Sequence, residues 1–121
     1  MKTIALILLL FCVVQVRGQR VLSAADSLKI KALFFTGLHE KMNENYAKAS
    51  ETFKQIILID SNYAAVYYEI ALVNYRQNKL TESEAAAKKA VALDTGNTWY
   101  QKLLSEINRR KVPWVMPRPF P

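Results

Sequence analysis

The chain has 121 residues, so it holds one small domain; its formal charge is +7 and 51% of its residues are hydrophobic. The charge resembles a nucleic-acid footprint until it is located. Eleven basic and ten acidic side chains lie between Gln19 and Asn108, a net of +1, while the remaining excess sits at the two ends. A nearly neutral middle argues against a phosphate-binding surface, which needs basic groups concentrated on one folded face.

Residues 1–18 read as a secretory signal peptide. Lys2 supplies the positive start, Ile4 to Val16 form an apolar run interrupted by Gln15, and Val16-Arg17-Gly18 offers small or aliphatic residues before a cut. The run is short of the roughly 20 apolar residues a membrane span needs. An uncleaved anchor helix is the alternative. Cys12 is the only cysteine and lies inside this run, preceded by the bulky Phe11 where a lipoprotein signal takes a small residue. The mature chain therefore has no disulfide, and its fold must be stable from packing alone. The expected destination is outside the cytoplasm: periplasm, cell envelope or medium.

After a short lead over 19–27, a 34-residue period organises the sequence. Asp26-Ser27, Asp60-Ser61 and Asp94-Thr95 recur at that spacing. The same offset aligns Gly37 with Ala71, Ala49 with Ser83, Phe53 with Ala87, Ile56 with Ala90 and Ile59 with Leu93. The pattern predicts an all-α chain of antiparallel helix-turn-helix repeats over 28–110, with units at about 28–61 and 62–95 and a further helix at 97–110.

In chain order, the first helix is expected from about Leu28 to Met42 and ends at Asn43-Glu44-Asn45, three turn-forming residues. The second runs from about Tyr46 to Leu58, with Tyr46, Ala49, Phe53 and Ile56 on one face. Tyr63 to Arg76 and Thr81 to Leu93 repeat the plan around Gln77-Asn78-Lys79. Thr81 and Glu84 have the spacing of a capping box, and Asn97 or Thr98 can cap the fifth helix. The Asp-Ser/Thr pairs are expected to cap helix starts rather than bind metal, because they lie a whole repeat apart. Gly37, Ala71, Ala49, Ser83 and Ala90 are small where helices must approach a large neighbour such as Phe53 or Tyr67.

Tyr67-x-x-Ile70-Ala71, Ser83, Ala87 and Ala90, with Leu33-x-x-Thr36-Gly37, Tyr46, Ala49, Phe53 and Ile56 before them, resemble the tetratricopeptide repeat over about residues 28–108. The chain departs from the family pattern at Asn74, where an aromatic is usual, at Ser61 and Thr95, where proline is usual, and at Thr36, where leucine is usual. The resemblance implies an α-solenoid whose first helices line a concave groove for a peptide or protein. Projection onto that groove places Lys31, Phe34, Leu38, Lys41 and Met42 in the first unit, Tyr68, Leu72, Tyr75 and Arg76 in the second, and Trp99 and Lys102 on the last helix. Aromatic rings among cations suit an extended partner with apolar anchors and acidic groups. The alternative for Phe34, Leu38 and Leu72 is ordinary core packing.

Trp99, Tyr100, Leu103, Leu104 and Ile107 make the fifth helix too apolar for a solvent-facing end. Three outcomes are open: it docks a further helix of a longer repeat protein, it self-associates through 97–110, or the tail folds over it. The tail at 111–121 carries all four prolines and is expected to be extended and disordered. A docking peptide or membrane-surface tether is its functional alternative. Catalytic inventory is thin: His39 is the single histidine, and Gly18, Gly37 and Gly96 are too scattered for a phosphate loop. The expectation is a non-enzyme without cofactor or metal, exported, with no nucleic-acid partner and no stable transmembrane segment once the leader is removed. It would serve as an interaction scaffold. A structural or self-assembling module and the sensory part of a larger envelope protein are the competing readings.

Overall fold

The computed structural model describes residues 22–112. The leader expected at 1–18 and tail residues 113–121 lie outside the described residues. Five helices follow in order: α1 Ala24–Met42, α2 Tyr46–Ile59, α3 Ala64–Arg76, α4 Leu80–Leu93 and α5 Thr98–Lys111. Among the described residues there is no strand. Each helix packs on its neighbours in sequence, and α3 also meets α5. The described residues are therefore an all-α array of antiparallel hairpins, and no helix among them is long and apolar enough to cross a membrane.

The 34-residue period is physical. The bounds of α2 and α4 differ by 34 at both ends, as do the starts of α3 and α5 and the ends of α1 and α3. The intra-hairpin turns repeat bond for bond. Glu44 and Asn78 both take left-handed backbone, with φ of 61° and 60°. The next residue's N–H reaches back to the Glu40 or Asn74 carbonyl at 2.9 Å, and Glu44 and Asn78 themselves donate to Lys41 and Tyr75 at 3.0 Å. This double bond pattern satisfies carbonyls that a helix end leaves free. Asn78 suits the conformation, whereas Glu44 carries a cost of about 1–2 kcal/mol that the turn's bonds offset.

Helix starts depart from expectation. The Ser23 hydroxyl caps α1 by accepting the Asp26 N–H at 3.0 Å, so α1 begins at Ala24 and not near Leu28. Asp26 lies in the first turn, where its charge complements the helix dipole. Asp60 and Asp94 do not cap a following helix; they close the preceding one, donating N–H bonds to Ile56 and Ala90 at 2.8 and 3.0 Å. The Asp60 carboxylate folds forward to accept the Asn62 N–H at 3.0 Å, a local turn bond open to any short acid. Asn97 does cap α5, accepting the Trp99 and Tyr100 N–H groups at 3.0 and 3.4 Å. The Thr81/Glu84 box is not formed: Lys79 precedes α4 without a side-chain cap. Glu84 instead holds Lys88 at 3.0 Å and Lys111 at 2.9 Å, tying α4 to the last turn of α5.

The core sits where hairpins close. Phe53 is fully buried on Gly37, and a Cβ at position 37 would stand 2.5 Å from its ring. Phe34 leans on the same ring with centroids 5.8 Å apart. In the second unit Ala71 and Ala87 take those two places, trading a gap and a ring for two methyl groups, and both are buried. Ser83 donates to the Ala71 carbonyl at 2.7 Å, which satisfies a hydroxyl that packing seals from water.

The two ends of the array are unlike, and the fifth helix is not the apolar one. Tyr100, Leu103 and Ile107 are buried against the chain itself and Leu104 packs at the core edge, leaving Trp99 as the exposed ring. Polar Gln101, Ser105 and Asn108 face out. The opposite end is open. Leu28, Phe35 and Met42 on α1 are exposed by 69, 64 and 78%. Ala32 lies 34 residues before the buried Val66 and is itself exposed.

Gly37→Ala tests the close approach. The added methyl improves helix propensity by about 1 kcal/mol, yet overpacking against a sealed ring costs about 1–3 kcal/mol. Denaturant unfolding is expected to show a net loss, much reduced when Gly37→Ala is measured in a Phe53→Leu background. A stabilised single variant would mean that the ring has room to retreat.

Candidate functional site

Helices α1, α3 and α5 occupy equivalent places in successive units, and the eleven expected groove residues lie on them. Three cross-helix contacts join these residues into one inner face. Lys41 on α1 reaches Glu69 on α3 at 2.7 Å, both largely covered. Tyr68 on α3 lies against Tyr100 on α5, centroids 5.0 Å apart and planes tilted by 31°. Tyr75 on α3 donates its hydroxyl to Glu106 on α5 at 3.2 Å, while the Arg110 guanidinium covers its ring at 4.8 Å.

The expected residues divide by role. Phe34, Leu38 and Leu72 are half-buried and pack on the core, so they form the floor of the face rather than free contacts. Phe34 also meets Tyr63 edge-on at 6.1 Å. Lys31 is exposed beside a cavity of ≈ 400 Å³ that Leu22, Phe34, Phe35 and Tyr63 share. Arg76 is exposed at a smaller recess of ≈ 290 Å³, next to Lys41, Met42 and Leu72. Trp99 is 68% exposed, with the Lys102 ammonium 5.5 Å from its ring centroid. The array thus brings Lys41, Tyr68, Tyr75, Leu72 and Arg76 together in the middle, with Lys31 at one side and Trp99 and Lys102 at the other.

Projection of the last helix stopped too early. Glu106 and Arg110 lie 34 residues after Leu72 and Arg76, and both belong to the same face. The offset itself was the signal that would have found them. Glu69 and Tyr100 gave no such signal, because their role depends on which helix happens to stand opposite.

The face is positive. Lys31, Lys41, Arg76, Lys102, Arg109 and Arg110 face two acids, Glu69 and Glu106. Arg109 grips Glu106 through one nitrogen at 2.6 and 2.8 Å. That hydrogen bond, assisted by the Tyr75 hydroxyl and the charge of Arg110, holds the Glu106 carboxyl below the ordinary carboxylate range. Burial, then the charge of Glu69, raises the Tyr68 phenol; burial raises Tyr100 as well, with the charge of Asp94 adding to it. Both rings therefore stay neutral hydrogen-bonding surfaces at physiological pH. Chemically, the face offers guanidinium and ammonium donors beside flat aromatic surfaces, which fits carboxylates flanked by apolar groups. His39 lies outside it, exposed, with its Nε2 3.1 Å from the Asn43 amide nitrogen.

Comparison of the chain with protein-family models finds none that matches, and comparison with curated proteins finds none similar to it.

The depressed Glu106 carboxyl has a signed consequence. Its folded form holds protons less tightly than its unfolded form, so the stabilisation is present above the ordinary carboxylate pKa and fades as pH falls through the lower folded value. Carboxyl resonances followed by NMR are expected to give Glu106 a midpoint below the ordinary glutamate value of a short unstructured peptide. Arg109→Ala should return it most of the way. An unchanged midpoint in that variant would remove the guanidinium as the cause.

Proposed function

We propose that this chain is an exported, non-catalytic scaffold of the tetratricopeptide type whose inner face binds an extended acidic segment of a partner protein. The observation that carries the reading is the continuity of that face across three helices, with Arg76 and Lys102 left exposed on either side of the Tyr68 and Tyr75 rings. The 34-residue repetition of helix bounds and turn bonds supports the repeat type, and the leader-like run from Ile4 to Val16 supports export. Cations held beside rings read a carboxylate and its apolar neighbour at once. With Lys41 and Arg109 paired to acids, the cations of the face outside ion pairs among the described residues are Lys31, Arg76, Lys102 and Arg110.

Peptides selected from a random display library on the native chain are expected to be rich in Asp, Glu and aromatic residues, and to weaken as salt rises. Arg76→Ala with Lys102→Ala should reduce their affinity about tenfold or more, the loss of two charge-assisted bonds. Selection of neutral sequences, or equal binding by the double variant, would end this reading.

A second reading, self-assembly, is favoured by the exposed Leu28, Phe35 and Met42 stripe on α1. The occupant would be a second copy of α1, in place of the pairing through 97–110 that the sequence suggested. Light scattering at micromolar concentration decides it. A dimer that Phe35→Glu converts to monomer supports this reading, and a monomeric native chain rejects it.

A further inference from the structure

Glu40 and Asn74 hold the same place in successive units, and each is more than nine-tenths buried. Their polar groups fare differently. The Thr52 hydroxyl donates to the Glu40 carboxylate, its oxygen 2.8 and 3.1 Å from the two acceptors. Thirty-four residues beyond Thr52 stands Ala86, which has nothing to donate. The Asn74 amide therefore makes no side-chain bond among the described residues, and it is not sealed off either: it lines a groove of ≈ 590 Å³ between α2 and α4, floored by Ile70 of α3. Ser50, also more than nine-tenths buried, lines the groove with its hydroxyl likewise unpartnered among the described residues. Neither group is sealed from solvent, so water or a ligand can answer both.

Asn74 lies two residues from both Leu72 and Arg76, about 200° around α3, so this groove is on the opposite side from the inner face. Its volume is in the range of small-ligand and peptide sites. One end has a charge of its own. Lys48 and Lys79 stand there beside Gln77, neither in an ion pair among the described residues. The same end receives the amino termini of α2 and α4, both without a side-chain cap, whose free N–H groups add partial positive charge. One turn further along the same walls stand Glu51 and Glu82, with Lys54 beyond Glu51.

We propose that this outer groove is a binding site for an extended peptide segment bearing one acidic side chain. An amide offers two donors and an acceptor, so Asn74 can give an N–H to a peptide carbonyl and accept the N–H of the same residue. Ser50 takes a further main-chain group, and the acidic side chain settles between Lys48 and Lys79. Backbone reading by a buried amide makes the site tolerant of sequence except at the acidic position. Together with the inner face, the chain would hold two segments on opposite sides of α3.

The test is an NMR titration of the isotopically labelled full chain with the blocked peptide acetyl-Ala-Ala-Glu-Ala-Ala-amide. Saturable shifts are expected at the Asn74 side-chain amide and at the Gln77 and Lys79 backbone. Replacing the peptide's Glu by Gln, or Asn74 by Ala, should weaken binding about tenfold. Asn74→Tyr, whose ring fills the groove, should abolish it. Lys79→Glu alters only an exposed side chain and should weaken binding as the Gln peptide does, giving a decision should either substitution at Asn74 unfold the chain. Shifts confined to Arg76, Lys102 and Arg110 would overturn the proposal, as would a response to sodium acetate equal to that of the peptide, which would mark an adventitious ion only.

Discussion

The contact between Gly37 and Phe53 is the constraint from which the rest of the array follows. A missing Cβ lets a fully buried ring enter the space between α1 and α2, and the helices close at a distance no other residue at position 37 permits. That ring also supports Phe34, whose other side meets Tyr63 at the start of the next unit. Placement thus passes from one hairpin to the next through apolar contact. Charge refines it further along, with Lys41 and Glu69 joining α1 to α3 and Glu84 joining α4 to α5 through Lys111.

A repeat buries its apolar face against its neighbour, and the two end helices of the described array differ in what they leave exposed. Here α5 turns Tyr100, Leu103 and Ile107 inward and presents polar residues to solvent, the behaviour of a cap. The first helix does the reverse. It exposes Leu28, Phe35 and Met42, one stripe along its length. It starts six residues before the phase set by α3.

Repetition of backbone with variation of side chains accounts for the functional surfaces. Identical turns and helix bounds fix where each position points, and single exchanges then decide whether a group is consumed by packing or left available. Glu40 is answered by Thr52, while Asn74 faces Ala86 and opens to the outer groove. On the inner side Leu72 supplies floor, but Glu106, its counterpart, receives the Tyr75 hydroxyl and the Arg109 guanidinium.

Periodicity alone determined the all-α class, the five helices to within about four residues, and the small-against-large packing at Gly37, because these depend on local spacing and on residue volume. It also placed α1, α3 and α5 at equivalent positions, since an offset of 34 preserves orientation. Tertiary structure decided the remainder. The Asp-Ser/Thr marks are boundaries in either view, but only the folded loop shows that Asp60 and Asp94 close a helix instead of opening one. Glu84 abandons a cap for two lysines, one of them from another helix. The pairings of Tyr68 with Tyr100 and of Lys41 with Glu69, and the open amide of Asn74, depend on distances between residues 28 to 32 positions apart or on a partner that is missing, and such relations exist only once the helices have packed.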